Sequence, residues 1–397
     1  MYRKFRGDNI FTGNKIIDNS FVLITSAEGV IEAIVKEDNA GDGIEQLDGL
    51  ICPGFINAHC HVELSNLKDS IPTGTGLVQF VQQVMAKRFL GEDDKLTAMQ
   101  QAVEEMEACG IVAVGDICNT LDALEVKKQS NMHWHNFIEL SGFVDSAATQ
   151  RLEAAKNIAA IYAKAYKKTT LSPHAPYSVS NALFKQLNSE TANQLISIHN
   201  QECAAENDLY LNKTGGFLDL YKNFGIDISS FKPSGKSSLQ SWLPYFNKQQ
   251  SIIAVHNTMT SLDDLNFLKK YVAEESDSSQ LAIYFCLCIN ANKYIEQKVP
   301  PIDFLRANNC NIVLGTDSYA SNWQLNILEE IKAIQQATSF TIAMEEILQW
   351  ATINGARALQ MENELGSFEK GKKPGVVLIT NLDKMNTTST SKASRIL

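Results

Sequence analysis

Short apolar runs alternate with amphipathic stretches along most of the chain. The runs Leu50–Ala58, Ile111–Ile117, Trp134–Leu140, Thr169–Ser172, Leu195–Ile198, Ile252–Val255, Leu281–Cys286 and Asn311–Gly315 read as strands. Between them apolar residues recur at helical spacing, as in Leu77, Phe80, Val81 and Val84, and again in Leu325, Leu328, Ile331 and Ile334. Gly110 follows the helix-like Leu96–Cys109 as a stop signal. Alternating strands and helices predict a parallel sheet. Eight such units in about 300 residues predict an α/β fold of the (β/α)8 TIM type. The rival is an open doubly wound sheet, but no GxGxxG or P-loop supports it.

The two ends have a different pattern. Phe21–Ile24 and Val30–Val35 read as short strands separated by a polar turn, and Asn39–Gly43 is a further turn cluster. Val376–Ile379 reads as a strand after the Lys372–Gly375 turn, and a polar tail closes on Ser394–Leu397. Both ends are rich in β-type apolar runs. The expectation is a small β-sandwich domain built from residues 1–50 and 365–397, around a barrel spanning 51–364.

Composition narrows the class. The chain has 397 residues, 44% hydrophobic and 20% charged, as in ordinary globular proteins. Its 35 basic and 45 acidic residues give a net charge of −10, which argues against a nucleic-acid partner. No apolar run approaches the ~20 residues of a membrane span. The basic N-terminus, Met1–Asp8, has no apolar segment behind it and does not resemble a secretion signal. Eight scattered cysteines without a CxxC pair suit reduced thiols in a cytoplasm. Cys286 and Cys288 form Cys-x-Cys, but their apolar surroundings favour buried thiols over a soft metal site.

The chemistry gathers at strand ends. The run Pro53–His61 closes on His59-Cys60-His61, and residues i and i+2 of a strand point to one side, so both imidazoles can face one metal ion. His174 follows the fourth strand, His199 ends the fifth, His256 ends the sixth, and Asp317 follows the eighth. Catalytic groups of such barrels collect at the C-terminal ends of strands. His133 and His135 stand at the start of the third strand, on the opposite rim, and read as structural. Glu139 near the end of that strand could face the site, and nothing in the sequence decides it.

These motifs resemble the amidohydrolase superfamily, in particular its deaminase and chlorohydrolase branch. The match includes Pro53–His61, Ser172–Tyr177, His199-x-x-Glu202, Gly315-Thr316-Asp317 with Ala320-Ser321-Asn322, Asn354–Leu359, and Gly366–Lys373. The resemblance implies one metal held by His59, His61, His199 and Asp317. Three imidazoles and a carboxylate suit Zn²⁺, with Fe²⁺ as the alternative, and such an ion would acidify a water toward pKa ~7. Superfamily members with two metals bridge them by a lysine on the fourth strand, and Thr170-Leu171-Ser172 offers none. The resemblance makes Glu202 the proton shuttle, with Glu206 as the runner-up. It makes His256 the residue that orients water, and His174 and Asn292 substrate contacts. Asn257 is a neighbour without a role.

One stretch departs from the pattern. After the seventh strand the family usually has His-Cys-Pro-x-Ser-Asn, and this chain has Leu287-Cys288-Ile289-Asn290-Ala291-Asn292. The change bears on substrate, not on the metal. The implied activity is hydrolytic deamination of a cyclic amidine, with ammonia released from an amino-substituted nitrogen heterocycle of the aminopurine nucleoside type. Hydrolytic dechlorination or cyclic amide opening would use the same site, and a binding protein without catalysis is a third reading. Segments 64–76 and 203–245 carry no substrate code. Within the second, Gly215-Gly216 with Phe217, Trp242 and Tyr245 suggests an aromatic lid or ordinary packing. A homodimer is compatible with the family, and no residue here specifies one.

Overall fold

A computed structural model of the chain describes residues 2–88, 92–246, 249–273 and 282–397. Among them eight parallel strands run through the middle of the chain. They are Phe55–Cys60, Ile111–Cys118, His133–Leu140, Thr169–Pro173, Leu195–Asn200, Ser251–His256, Ala282–Leu287 and Asn311–Leu314. The first four form one sheet and the last four another, each in chain order. The first two strands are buried along their whole length. Burial on both faces is why such strands read as unbroken apolar runs instead of alternating ones. Leu281, where the seventh predicted strand begins, lies outside the described residues.

Backbone bonds cross both seams between the two sheets. At one, the His199 N–H donates to the His174 carbonyl (2.9 Å). At the other, the Thr316 and Asp317 N–H groups both donate to the His59 carbonyl (3.1 Å each). The residues that bridge the seams are thus those singled out at strand ends.

Leu50–Ala58, expected as one strand, is two. Leu50–Pro53 pairs with Val376–Thr380 and Asn9–Phe11, whereas Phe55–Cys60 pairs with the second parallel strand. Gly54 sits at the break. A Cβ there would lie 2.3 Å from the Val112 side chain and 2.6 Å from the Pro374 carbonyl, so only glycine fits the crossing.

The chain ends form two sheets. One holds Ile31–Lys36, Phe21–Ser26, Tyr2–Arg6 and Ile44–Gln46 in that order. The other holds Lys392–Arg395, Val376–Thr380, Leu50–Pro53, Asn9–Phe11 and Ile16–Asp18. Phe5, Leu23 and Ile31 of the first meet Ile10, Ile51 and Val376 of the second in one buried apolar cluster. Face-to-face burial of this kind is what two half-apolar sheets require.

Candidate active site

The strand ends bring four ligand-type side chains together. His59 and His61 leave the first parallel strand on one side, as their spacing requires. His61 Nε2 lies 3.2 Å from His59 Nε2 and 3.2 Å from His199 Nε2. Asp317 Oδ1 lies 3.5 Å from His59 Nε2 and 3.4 Å from His61 Nε2. All four residues are buried.

His61 Nε2 faces two other ring nitrogens but carries at most one hydrogen, and His199 Nε2 has none to give because its Nδ1–H is directed to the His174 carbonyl, so the three cannot all be satisfied by one another. Protonation does not relieve the crowding. Burial holds His61 down to about 4, and His199 is pushed well below the ordinary imidazole range by burial and then by neighbouring imidazoles. Burial alone would raise Asp317, yet its bond with His59 and the facing His61 and His256 keep it well below the usual carboxylate range. Neutral imidazoles and an ionised carboxylate converging on one point are a donor set for a divalent metal.

Neighbouring groups fix how the ligands point. His199 Nδ1 donates to the His174 carbonyl at 2.7 Å, which leaves Nε2 as the lone-pair face. The Ser321 hydroxyl donates to Asp317 Oδ2 at 2.7 Å. Asn57 and Thr316 clasp each other, Asn57 Nδ2 to Thr316 Oγ1 at 2.7 Å and Thr316 N–H to Asn57 Oδ1 at 3.0 Å. Immediately after His61, the Val62 N–H donates to Asp116 Oδ1 at 2.9 Å. Asp317, Gln201 and His256 all have positive φ, at 57°, 48° and 76°. Left-handed backbone at three non-glycine strand ends is costly, and such strain collects where side chains must be aimed.

Glu202 and His256 complete the floor. His256 Nε2 is 3.6 Å from Glu202 Oε1, and among the described residues neither ring nitrogen meets a partner at full hydrogen-bond geometry, although the Asn292 amide faces the ring. Burial, then Asp317 and Glu206, raise the Glu202 carboxyl well above its ordinary range, and burial lowers His256 to about 4. Glu206 is engaged elsewhere. Its carboxylate accepts from the Gln201 N–H (2.8 Å), the Glu202 N–H (3.3 Å) and the Ser238 hydroxyl, and burial pushes it up to about 7. It therefore braces the Glu202 backbone.

A cavity of about 500 Å³ opens above this floor. His174 and Glu139 line it, and most of the remaining wall is apolar, including Phe80, Val84, Phe143 and Tyr221. That volume suits a small organic ligand. Asn292 is not on the wall. It is buried, donates to Thr258 Oγ1 at 2.8 Å, and lies beside His256. Asn257 is also buried and bonds Asn200.

The lid expectation divides. Phe217 is buried and stacks on Tyr177 at 4.2 Å, and its helix, Phe217–Asn223, brings Leu220 and Tyr221 to the cavity. Trp242 and Tyr245 lie elsewhere. Trp242 Nε1 donates to Asn200 Oδ1 at 2.9 Å, and Tyr245 stacks on Phe184 at 5.2 Å. His133 and His135 lie apart from the cluster of His59, His61, His199 and Asp317. His135 is buried against Phe137, with ring centroids 4.4 Å apart.

Sequence reasoning missed a buried charge network beside His61. Lys127 Nζ is 2.5 Å from Asp116 Oδ2, with both side chains fully buried. Glu63 accepts from the Asn119 and Thr120 N–H groups, at 3.1 and 3.0 Å. Ionisable residues inside apolar runs were the available signal.

Comparison with known proteins follows the same lines. A model of the amidohydrolase family matches residues 50–396. The 5-methylthioadenosine/S-adenosylhomocysteine deaminase of Thermoanaerobacter pseudethanolicus is 28% identical over 379 residues, covering 90% of this chain and 78% of the relative. An adenosine deaminase of Helicobacter pylori is 26% identical, covering 82% and 78%. Among solved structures, the aminofutalosine deaminase of Helicobacter pylori with methylthio-coformycin superposes with a TM-score of 0.79. It is 22% identical and covers 97% of this chain and 93% of that one. A zinc-bound adenosine deaminase from Xanthomonas campestris gives a TM-score of 0.71 at 19% identity, covering 95% and 84%. These likenesses give the chain a TIM-barrel-type fold with a second domain.

Proposed function

Because the chain belongs to the amidohydrolase family, we propose that it is a metal-dependent hydrolase that deaminates an aminopurine nucleoside. The observation that carries this reading is the convergence of His59, His61, His199 and Asp317 beneath a largely apolar cavity, with Glu202 and His256 beside them. Relatives named as deaminases of methylthioadenosine, adenosine and 5'-deoxyadenosine supply the substrate class.

His59, His61, His199 and Asp317 would hold one divalent ion, Zn²⁺ before Fe²⁺. When bound it acidifies a water, so that a nucleophile is available at neutral pH. The reaction adds water across the ring carbon that bears the amino group and expels ammonia. Glu202 takes one proton from the attacking water and delivers it to the ring nitrogen, then takes the second from the hydroxyl formed on the ring carbon and delivers it to the leaving amine. A carboxyl whose protonated form burial favours is suited to handing back a proton it has taken. His256, whose Nε2 faces Glu202 Oε1 at 3.6 Å, orients the water. His174, on the wall, contacts the heterocycle.

The same reading treats the two parallel sheets as one closed (β/α)8 barrel, supported by the backbone bonds across both seams. It assigns residues 51–364 to that barrel and 1–50 with 365–397 to a β-sandwich domain, although Leu50–Pro53 pairs wholly within the sandwich sheet. It also places the chain in a reducing cytoplasm, supported by eight free thiols, seven of them buried.

The test is ammonia release by metal-supplemented protein against adenosine, 5'-deoxyadenosine, methylthioadenosine, guanine, cytosine and a chlorotriazine. Turnover led by the nucleosides is expected. Silence across the amino substrates, with one metal per chain present, overturns the reading.

A further inference from the structure

Glu139 lies one residue before the end of the third parallel strand and lines the cavity, with its side chain only 6% exposed. Its Oε2 accepts from Asn119 Nδ2 at 2.8 Å, while its Oε1 is buried and meets no donor among the described residues. The His199 Nδ1 nitrogen is 3.9 Å from Oε1, but its hydrogen is already directed to the His174 carbonyl at 2.7 Å. An orphaned carboxylate oxygen in a buried wall costs free energy until something supplies positive charge or a hydrogen.

His174 stands next to it in a matching state. The Ser178 hydroxyl donates to the Ala175 carbonyl at 3.1 Å, so Ser178 Oγ accepts from His174 Nδ1 at 2.6 Å. That fixes the tautomer and leaves Nε2 as a bare lone pair. Ligand atoms of Glu139, His174 and His199 lie within 4.8 Å of one another. Two acceptors of this kind side by side, with no donor between them among the described residues, match the coordination preference of a borderline divalent cation.

We propose that Glu139 and His174 form a second, weaker site for a divalent cation such as Zn²⁺, and that filling it inhibits the enzyme by occupying substrate space. The inference rests on the proposed first centre, because His199 Nε2 serves that centre and only Glu139 and His174 remain free to bind here. Two protein ligands, with solvent completing the shell, make the second site the weaker one. Substrate and the second ion then compete, because both need the cavity wall that Glu139 and His174 form.

The test uses the full chain loaded with one equivalent of zinc, dialysed against increasing zinc and assayed for metal per chain. Wild type is expected to rise from one to two equivalents, and the second to raise the apparent KM for substrate. Glu139→Gln and His174→Ala are each expected to keep the first equivalent, which also reports folding, and to lose the second or bind it at least tenfold more weakly. A plateau at one equivalent in wild type overturns the proposal alone. So does a second equivalent retained by both variants, or a KM that rises in wild type and variants alike. A chain that binds no zinc at all overturns the first centre and this site with it.

Discussion

Glu202 Oε1 and His256 Nε2 lie 3.6 Å apart on the floor of the cavity, the closest approach between the buried carboxyl and the buried imidazole beside the metal ligands. Burial pushes the two groups in opposite directions, Glu202 up and His256 down to about 4. Each is thereby moved away from its charged form, and the pair is drawn toward a neutral acid facing a neutral base. A group that must both take and return a proton works best when its two states are close in free energy.

Glu202→Gln is the direct check on that role. Glutamine keeps the shape and removes the transferable proton, while His59, His61, His199 and Asp317 are untouched. The variant is expected to hold one metal per chain by elemental analysis and to lose ammonia release by about 10²-fold or more, the usual scale of general acid–base catalysis. Turnover near that of wild type would remove Glu202 from the mechanism.

Asp317 offers a second check, through Ser321. The Ser321 hydroxyl donates to Asp317 Oδ2 at 2.7 Å and so holds Oδ1 toward the imidazoles. Ser321→Ala frees that carboxylate to rotate. Removing an outer partner of a metal ligand typically weakens metal binding about 10–100-fold. Competition against a zinc chelator should register a loss of that size with the fold intact, and an unchanged zinc affinity would show that the bond does not position the ligand.

The convergence of His59, His61, His199 and Asp317 was readable because strand ends are punctuated. Runs such as Ile252–Val255 stop at a histidine, and strands buried on both faces carry no competing alternation. The Asp116–Lys127 pair was not readable. Its members sit 11 residues apart on a strand and a short helix, and each looks like an isolated polar residue. Trp242 and Tyr245 were undecidable for a related reason. An aromatic near a glycine pair looks the same whether it covers a cavity or finds a buried partner, as Trp242 does in Asn200. The break at Gly54 depends on Val112 and Pro374, contacts that no local pattern encodes.

His135 gives a pH-dependent stability that does not involve the metal ligands. Burial lowers its imidazole to about 3, from an ordinary value near 6.5. Between those values the unfolded chain takes up a proton that the folded chain refuses. Stability from this residue is therefore fully present above about pH 6.5 and falls as pH drops toward 3, by up to ~1.4 kcal/mol per unit. His135→Phe preserves an aromatic face against Phe137 and removes the titration. Denaturant titrations at several pH values between 6.5 and 4.5 should show a shallower fall in the variant than in wild type. Parallel slopes would show that His135 titrates in the folded chain as it does in the unfolded one.

The Asp116–Lys127 pair makes the sharpest demand on stability. Lys127 Nζ also donates to Asn136 Oδ1 at 2.8 Å and lies 5.1 Å from the ring centroids of both Trp134 and Tyr162. Burial alone would lower its ammonium, yet Asp116 and Cys118 beside it hold it above its ordinary value. Removing one partner leaves an uncompensated buried charge, which typically costs about 3–5 kcal/mol, while removing both can be far cheaper. Lys127→Met is thus expected to lower unfolding free energy by about that amount, and Asp116→Asn combined with Lys127→Met to recover a large part of it. Asp116 also accepts from the Val62 N–H directly after His61, and the Oδ1 of asparagine preserves that bond. The double variant should therefore hold zinc as wild type does while it regains stability. If it regains stability but does not hold zinc, the charge on Asp116 positions His61, and the hydrogen bond alone does not.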